Sequence, residues 1–280
     1  MGRAAAKCRG VARMSKLSIS ELTTYRWTFE EDVLHFREAG YEAVGVWRQK
    51  LAEFGEDKGV ELLEESGLKV SNLLWCGGFT GSDGRSFREA LEDAQEALTL
   101  AQQLRAECLI VYSGARGGHT HNHARRLLRD ALKSLLPQAK ELGVTLAVEP
   151  MHAEAAGDCT FLSCMSEALT LLQTVADPAL KLCVDTYHCG LAADWEKQLA
   201  EAAPHTAIVH VGDGKPPVDN DQARTRLGEG IVPLREMLAA LRSSGFNGYY
   251  DVELIGTGLE PNAYPDLLRH CREQFTALTA

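Results

Sequence analysis

The chain has 280 residues, 45% of them hydrophobic, which suits one large α/β domain or two small ones, and it carries a formal net charge of -10. That acidic balance argues against a protein whose affinity comes from neutralising nucleic-acid phosphates, and points instead to a small-molecule partner. No apolar run approaches the roughly 18 residues of a membrane span, so no membrane partner is expected.

In chain order, residues 1–16 are basic without an acid and read as a flexible N-terminal extension, leaving 17–280 as the folded, catalytic part. Eight apolar, β-rich runs then follow: Leu17 to Ser20, Ala43 to Val46, Val70 to Leu74, Cys108 to Tyr112, Thr145 to Glu149, Leu182 to Asp185, Ala207 to Val211 and Tyr249 to Glu253. Between them lie segments of helical period. Arg88 to Leu104 places Leu91, Ala94, Leu98 and Ala101 on one stripe, and Ala124 to Leu142 behaves alike. Gly40, Gly67, Gly143 and Gly245 stand where helices should end before a strand begins. Eight evenly spaced βα units with no linker between them imply a single (β/α)8 TIM barrel rather than a doubly wound sheet. No GxGxxG follows the first strand, which removes the main support for dinucleotide binding. The eight cysteines include no CxxC pair, and several sit inside apolar runs. They read as reduced core residues of a cytoplasmic protein.

Four late strands end on polar residues able to bind metal: Glu149, Asp185, His210 and Glu253. Charge at the end of an apolar run is costly without a partner, and strand C-termini converge in a barrel of this type. Three carboxylates and one imidazole make an oxygen-rich shell for one divalent ion, Mn²⁺, Mg²⁺ or Co²⁺, with Zn²⁺ less favoured. Taken singly, each could be a buried, paired core residue. Recurrence at four successive strand ends is what makes them a set.

Other strand ends supply candidate substrate contacts. After the second strand, Trp47 could stack on the face of a small-molecule ligand and Lys50 could hold hydroxyl, carboxylate or phosphate oxygens. After the fourth, Ser113 to His123 is glycine-rich with three alternating histidines, of which His119 is the preferred substrate contact over a second metal site. His152, just beyond Glu149 and Pro150, is a further candidate, against a plain loop histidine.

The segments Val148-Glu149-Pro150, Val184-Asp185-Thr186-Tyr187-His188, His210-Val211-Gly212-Asp213 and Asp251-Val252-Glu253-Leu254 resemble motifs of the xylose isomerase-like TIM-barrel superfamily. They resemble in particular its sugar phosphate isomerase/epimerase branch, with ketose 3-epimerase, hydroxypyruvate isomerase and inosose dehydratase relatives. The resemblance implies that Glu149, Asp185, His210 and Glu253 bind the metal, and that Glu149 and Glu253 double as the acid/base pair. It implies a substrate-binding role for His188. It also implies an arginine before the Leu227-Gly228-Glu229-Gly230 turn, where Arg226 is preferred over Arg224 because the insertion Gly214 to Ala223 blurs the spacing. A homodimer or homotetramer is a further implication.

The function expected is isomerisation or epimerisation of a ketose, keto-inositol or related polyol through a metal-stabilised enediolate. A lyase or dehydratase acting on a keto-sugar or keto-glycoside shares that step and is the alternative. A three-zinc apurinic-site endonuclease is more distant, since the second strand ends at Val46-Trp47 without histidine and the chain is acidic. A non-catalytic sugar-binding barrel is the remaining reading.

Overall fold

A computed structural model describes residues 15–216, 223–256 and 259–280; most of the expected N-terminal extension and part of the insertion after Gly214 lie outside these. Parallel strands come from apolar runs whose side chains are buried on both faces, and each run here becomes one barrel stave. They are β1 (Lys16–Ser20), β2 (Ala43–Trp47), β3 (Lys69–Gly77), β4 (Cys108–Tyr112), β5 (Thr145–Val148), β6 (Leu180–Asp185) and β7 (Thr206–Val211). A two-residue antiparallel pair, β8 (Asp213–Gly214) with β9 (Arg224–Thr225), precedes the last stave, β10 (Tyr249–Val252). The closed order is β1-β10-β7-β6-β5-β4-β3-β2, all pairs parallel, which confirms the single (β/α)8 barrel.

The helices lie where the sequence period puts them, and their ends are chemically marked. Phe87–Gln103 begins with a capping box in which Ser86 accepts from the Glu89 amide while Glu89 accepts from the Ser86 amide. His121–Leu142 ends at Gly143, whose φ of +69° is the left-handed cap that glycine takes without strain. Among the described residues no helix is long and apolar enough to cross a membrane.

Two apolar clusters hold the domain together. The larger fills the shell between strands and helices, with Phe29, Phe36, Leu98, Leu132 and Leu238 among its buried members. The smaller lies inside the barrel and includes Leu74, Ile110, Ala147, Cys183 and Ile208. The interior is not wholly apolar. Asn72 Nδ2 donates to Asp251 Oδ2 at 2.7 Å, and Gly45 faces the pair: a Cβ there would stand 2.2 Å from that carboxylate oxygen. Glycine is needed at Gly45 for space alone.

Candidate active site

The four staves β5, β6, β7 and β10 are consecutive around the barrel, so their ends meet. Asp185 lies in register with His210, and the Glu253 and Glu149 amides donate to Val211 O at 3.1 Å and Val111 O at 3.3 Å. Each acid is thereby fixed at the same end of the barrel. Glu149 and His210 are fully buried, and Asp185 and Glu253 are 1% exposed. His210 Nδ1 stands 3.4 Å from Glu149 Oε1 and 3.5 Å from Glu253 Oε2. Donor atoms of Asp185, His210 and Glu253 all fall within 4.8 Å of one another, and so do those of Glu149, Asp185 and His188.

Arg224, which the sequence reading ranked second, reaches this cluster. Its Nη1 donates to Asp185 Oδ2 at 2.8 Å and to Glu253 O at 3.1 Å, and Nη2 lies 3.5 Å from Glu253 Oε1. The guanidinium also covers the Tyr187 ring at 4.9 Å. Ser20 Oγ donates to Glu253 Oε2 at 3.3 Å.

These contacts leave charge unbalanced. Three buried carboxylates face one guanidinium, so with a neutral imidazole two negative charges remain, a cost that a divalent cation would cancel. Among the described residues neither oxygen of Glu149 has a hydrogen-bond donor, although the residue is sealed from solvent. Without an ion, protons offset part of this charge. Burial pushes the Glu253 carboxyl up to about 7, against the pull of His210 and Arg224 and with help from Glu149 and Asp185. Burial opposes charge on His210, yet Cys183, Glu253 and Glu149 together hold the imidazole well above its usual range. Donor set, orphaned oxygens and excess charge all fit a divalent metal.

A clamp beside the site holds Arg224 in place. The Asp213 carboxylate accepts from four backbone amides: Gly228 and Gly230 at Oδ2 (2.9 and 3.0 Å), and Gly214 and Val232 at Oδ1 (2.9 and 3.2 Å). The loop after β9 is thus wrapped around one buried acid. Gly230 permits the approach, since a Cβ there would stand 2.0 Å from Asp213 Oδ1.

Residues 34–274 match the family model described as xylose isomerase-like TIM barrel. The chain belongs to this family. It is 29% identical over 209 residues to L-ribulose-5-phosphate 3-epimerase UlaE of Escherichia coli (strain K12), covering 70% of this chain and 68% of that protein. Among solved structures, protein SMc04130 of Sinorhizobium meliloti 1021 superposes with a TM-score of 0.86 at 26% identity, over 94% of this chain and 98% of that one. An IolI protein with a bound zinc atom (TM-score 0.83, 20% identity, 94% and 98% coverage) shares the fold. So does an L-ribulose 3-epimerase (TM-score 0.77, 17% identity, 95% of each chain). The named relatives of this xylose isomerase-like barrel thus include sugar epimerases.

The remaining expected contacts divide. His188 is buried beside Glu149 and Asp185. Trp47 is half-buried at the end of β2, its ring stacked 6.5 Å from Trp75, which in turn lies 5.1 Å from Tyr112. This aromatic wall was only partly foreseen, because β3 runs three residues beyond Leu74 and carries Trp75 with it. His152 is half-buried, near the Glu154 amide. His119 is also half-buried, its Nε2 3.1 Å from Thr80 O, so it ties two loops together.

Lys50 and Arg226 are not brought to the metal-ligand cluster. Lys50 is 5% exposed, ion-paired to Asp32 and donating to Thr24 O at 2.9 Å and Glu21 O at 3.2 Å. An ammonium sealed from water needs these partners, and they engage the charge expected to meet substrate. Arg226 pairs with Asp266 on the helix Tyr264–Thr279.

Proposed function

We propose that this protein is a divalent-metal-dependent epimerase or isomerase of a ketose or related polyol, and that Glu149, Asp185, His210 and Glu253 hold the ion. The observation that carries the reading is the cluster of three buried carboxylates and one imidazole, two negative charges in excess, at the C-terminal mouth of the barrel. When bound there, Mn²⁺, Mg²⁺ or Co²⁺ would polarise a substrate carbonyl and its neighbouring hydroxyl, which makes the intervening C–H more acidic. Zn²⁺ stays less favoured on the oxygen-rich donor set, although the IolI protein of the same fold holds it.

The chain's own groups then move the proton. Glu253, a carboxylate at the same level as the ion, would be one of the two proton carriers. Glu149, across His210 from it, is the partner on the opposite side of the substrate carbon. One glutamate takes the proton and the other returns one, inverting the centre, or passing the carbonyl to the neighbouring carbon if the proton goes there. Arg224 holds Asp185 and Glu253 in place, and His188 and the Trp47–Trp75–Tyr112 wall orient the sugar.

The test is incorporation of solvent deuterium into L-ribulose and related ketoses by the Mn²⁺-loaded protein, followed by NMR. Wild type should exchange the carbon-bound proton for deuterium and form an epimer that has lost no atoms and is heavier only by the deuterium it has gained. Glu253→Gln should lower both by about 1000-fold or more while still retaining metal. Full turnover in that variant would remove the acid/base assignment, and a product lighter by water would move the protein to the eliminating class.

A further inference from the structure

Below the expected metal ligands, the barrel interior contains a thiol that the proposed reaction does not use. Cys183 sits two residues before Asp185 on β6, so both side chains point inward and Cys183 lies one layer deeper, about 6 Å along the strand. It is fully buried. Its sulfur, a Glu149 oxygen and a His210 nitrogen all lie within 4.8 Å of one another. Among the described residues, the same Glu149 is the acid whose two oxygens lack a hydrogen-bond donor, and the Cys183 thiol is a side-chain neighbour of the His210 ring. Two buried ligand groups therefore flank the sulfur. Cys183 is a third corner rather than an isolated core cysteine.

We propose that Glu149, Cys183 and His210 form a second metal-binding mode that selects soft divalent cations such as Cd²⁺ and Zn²⁺. The inference rests on the functional reading above for the identity of the upper, oxygen-rich site. The two modes share Glu149 and His210, so they exclude each other, and the ion decides which is used. A hard ion gains most from the carboxylates of Asp185 and Glu253 and stays at the level of the substrate. A soft ion gains more from sulfur and nitrogen and drops to the lower layer.

Ligand softness, not charge, favours the lower mode for such an ion. One carboxylate and one thiolate balance a divalent cation, while Asp185 and Glu253 keep their guanidinium partner Arg224 undisturbed. Binding exchanges the thiol proton for the ion, and the proton leaves to solvent. The consequence for the reaction is direct. An ion in the lower mode lies beneath the substrate and occupies Glu149, so a soft-metal-loaded protein would be inert toward sugars while fully metallated.

The experiment titrates the full chain, stripped of metal, with Cd²⁺ and with Mn²⁺, recording ultraviolet sulfur-to-metal charge-transfer absorption and dialysing for affinity and stoichiometry. Wild type should bind one Cd²⁺ with a thiolate band. Cys183→Ser should lose the band and lower the ratio of Cd²⁺ to Mn²⁺ affinity by about tenfold or more. Cys183→Ala provides the same readout should the serine variant fold poorly, and circular dichroism of both checks the fold. Stoichiometric Cd²⁺ binding without a thiolate band, or a band that persists in both variants because Cys159 or Cys164 carries it, would overturn the proposal. Neither result touches the Mn²⁺-dependent deuterium exchange, so failure here and failure of the epimerase reading are separable.

Discussion

Asp213→Asn is the sharpest test of how the site is held. The substitution keeps size and shape, so it opens no cavity. It does replace one carboxylate oxygen with an NH2 group. Whichever way the amide turns, that NH2 faces two backbone N–H donors, either Gly228 and Gly230 or Gly214 and Val232. Two charge-assisted hydrogen bonds are lost and two donors are left opposed in a buried place. At about 1.5–3 kcal/mol for each bond to a charged group, the cost is about 3–6 kcal/mol. For a domain of this size that corresponds to a fall in Tm of about 5–10 °C. The assay is thermal unfolding followed by circular dichroism in excess chelator, so that ion binding does not contribute. Because the same loop carries Arg224, the variant should also lose activity through displaced Asp185 and Glu253. A Tm within about 2 °C of wild type would refute the clamp, since burial of an acceptor opposite two donors cannot be that cheap.

Three further outcomes follow from the geometry. Lys50→Met leaves Asp32 buried without its partner and should cost about 3–5 kcal/mol in urea unfolding. An unchanged stability with a raised KM would return Lys50 to the substrate. Metal-free protein should lose stability as pH rises. Glu253 has its folded pKa raised from 4.5 to about 7, so its contribution is full below 4.5 and gone above about 7, and His210, also raised, acts in the same direction. Mn²⁺ should therefore raise Tm more at about pH 8 than at about pH 6, because protons and ion compete for the same groups; an equal rise at both would contradict it. Trp75→Ala should raise KM for a ketose by about fivefold with kcat little changed, measured by steady-state kinetics, if the aromatic wall binds the sugar face.

The barrel was legible because its cause is repetitive. Apolar runs such as Cys108 to Tyr112, closed by glycines such as Gly67 and Gly143, each specify one unit, and eight units leave little choice of architecture. The meeting of Glu149, Asp185, His210 and Glu253 was legible for a related reason, since a parallel barrel brings all strand ends to one side. What failed to show was any choice decided by partners distant in sequence. Arg224 and Arg226 are the same residue type two positions apart. Only the folded chain reveals that one meets Asp185 and the other Asp266. Lys50 looked available because Asp32, its partner, belongs to the helix Phe29–Glu38. Trp75 lay beyond the expected end of its strand, and Asp213 entered only as the last residue of the His210-Val211-Gly212-Asp213 motif, with no role assigned, because the amides it gathers come from a loop further along the chain.

Gly45 and Asp251 stand near opposite ends of the chain, yet the 2.2 Å that a Cβ at Gly45 would leave makes them a single unit of variation. An alanine at position 45 is admissible only if the acid at 251 is first shortened, and the acid can be enlarged or moved only while position 45 stays bare. Along any lineage of this sequence the two sites should therefore drift together or stay fixed. A library randomised at both positions should return paired survivors in which bulk at one is matched by its loss at the other.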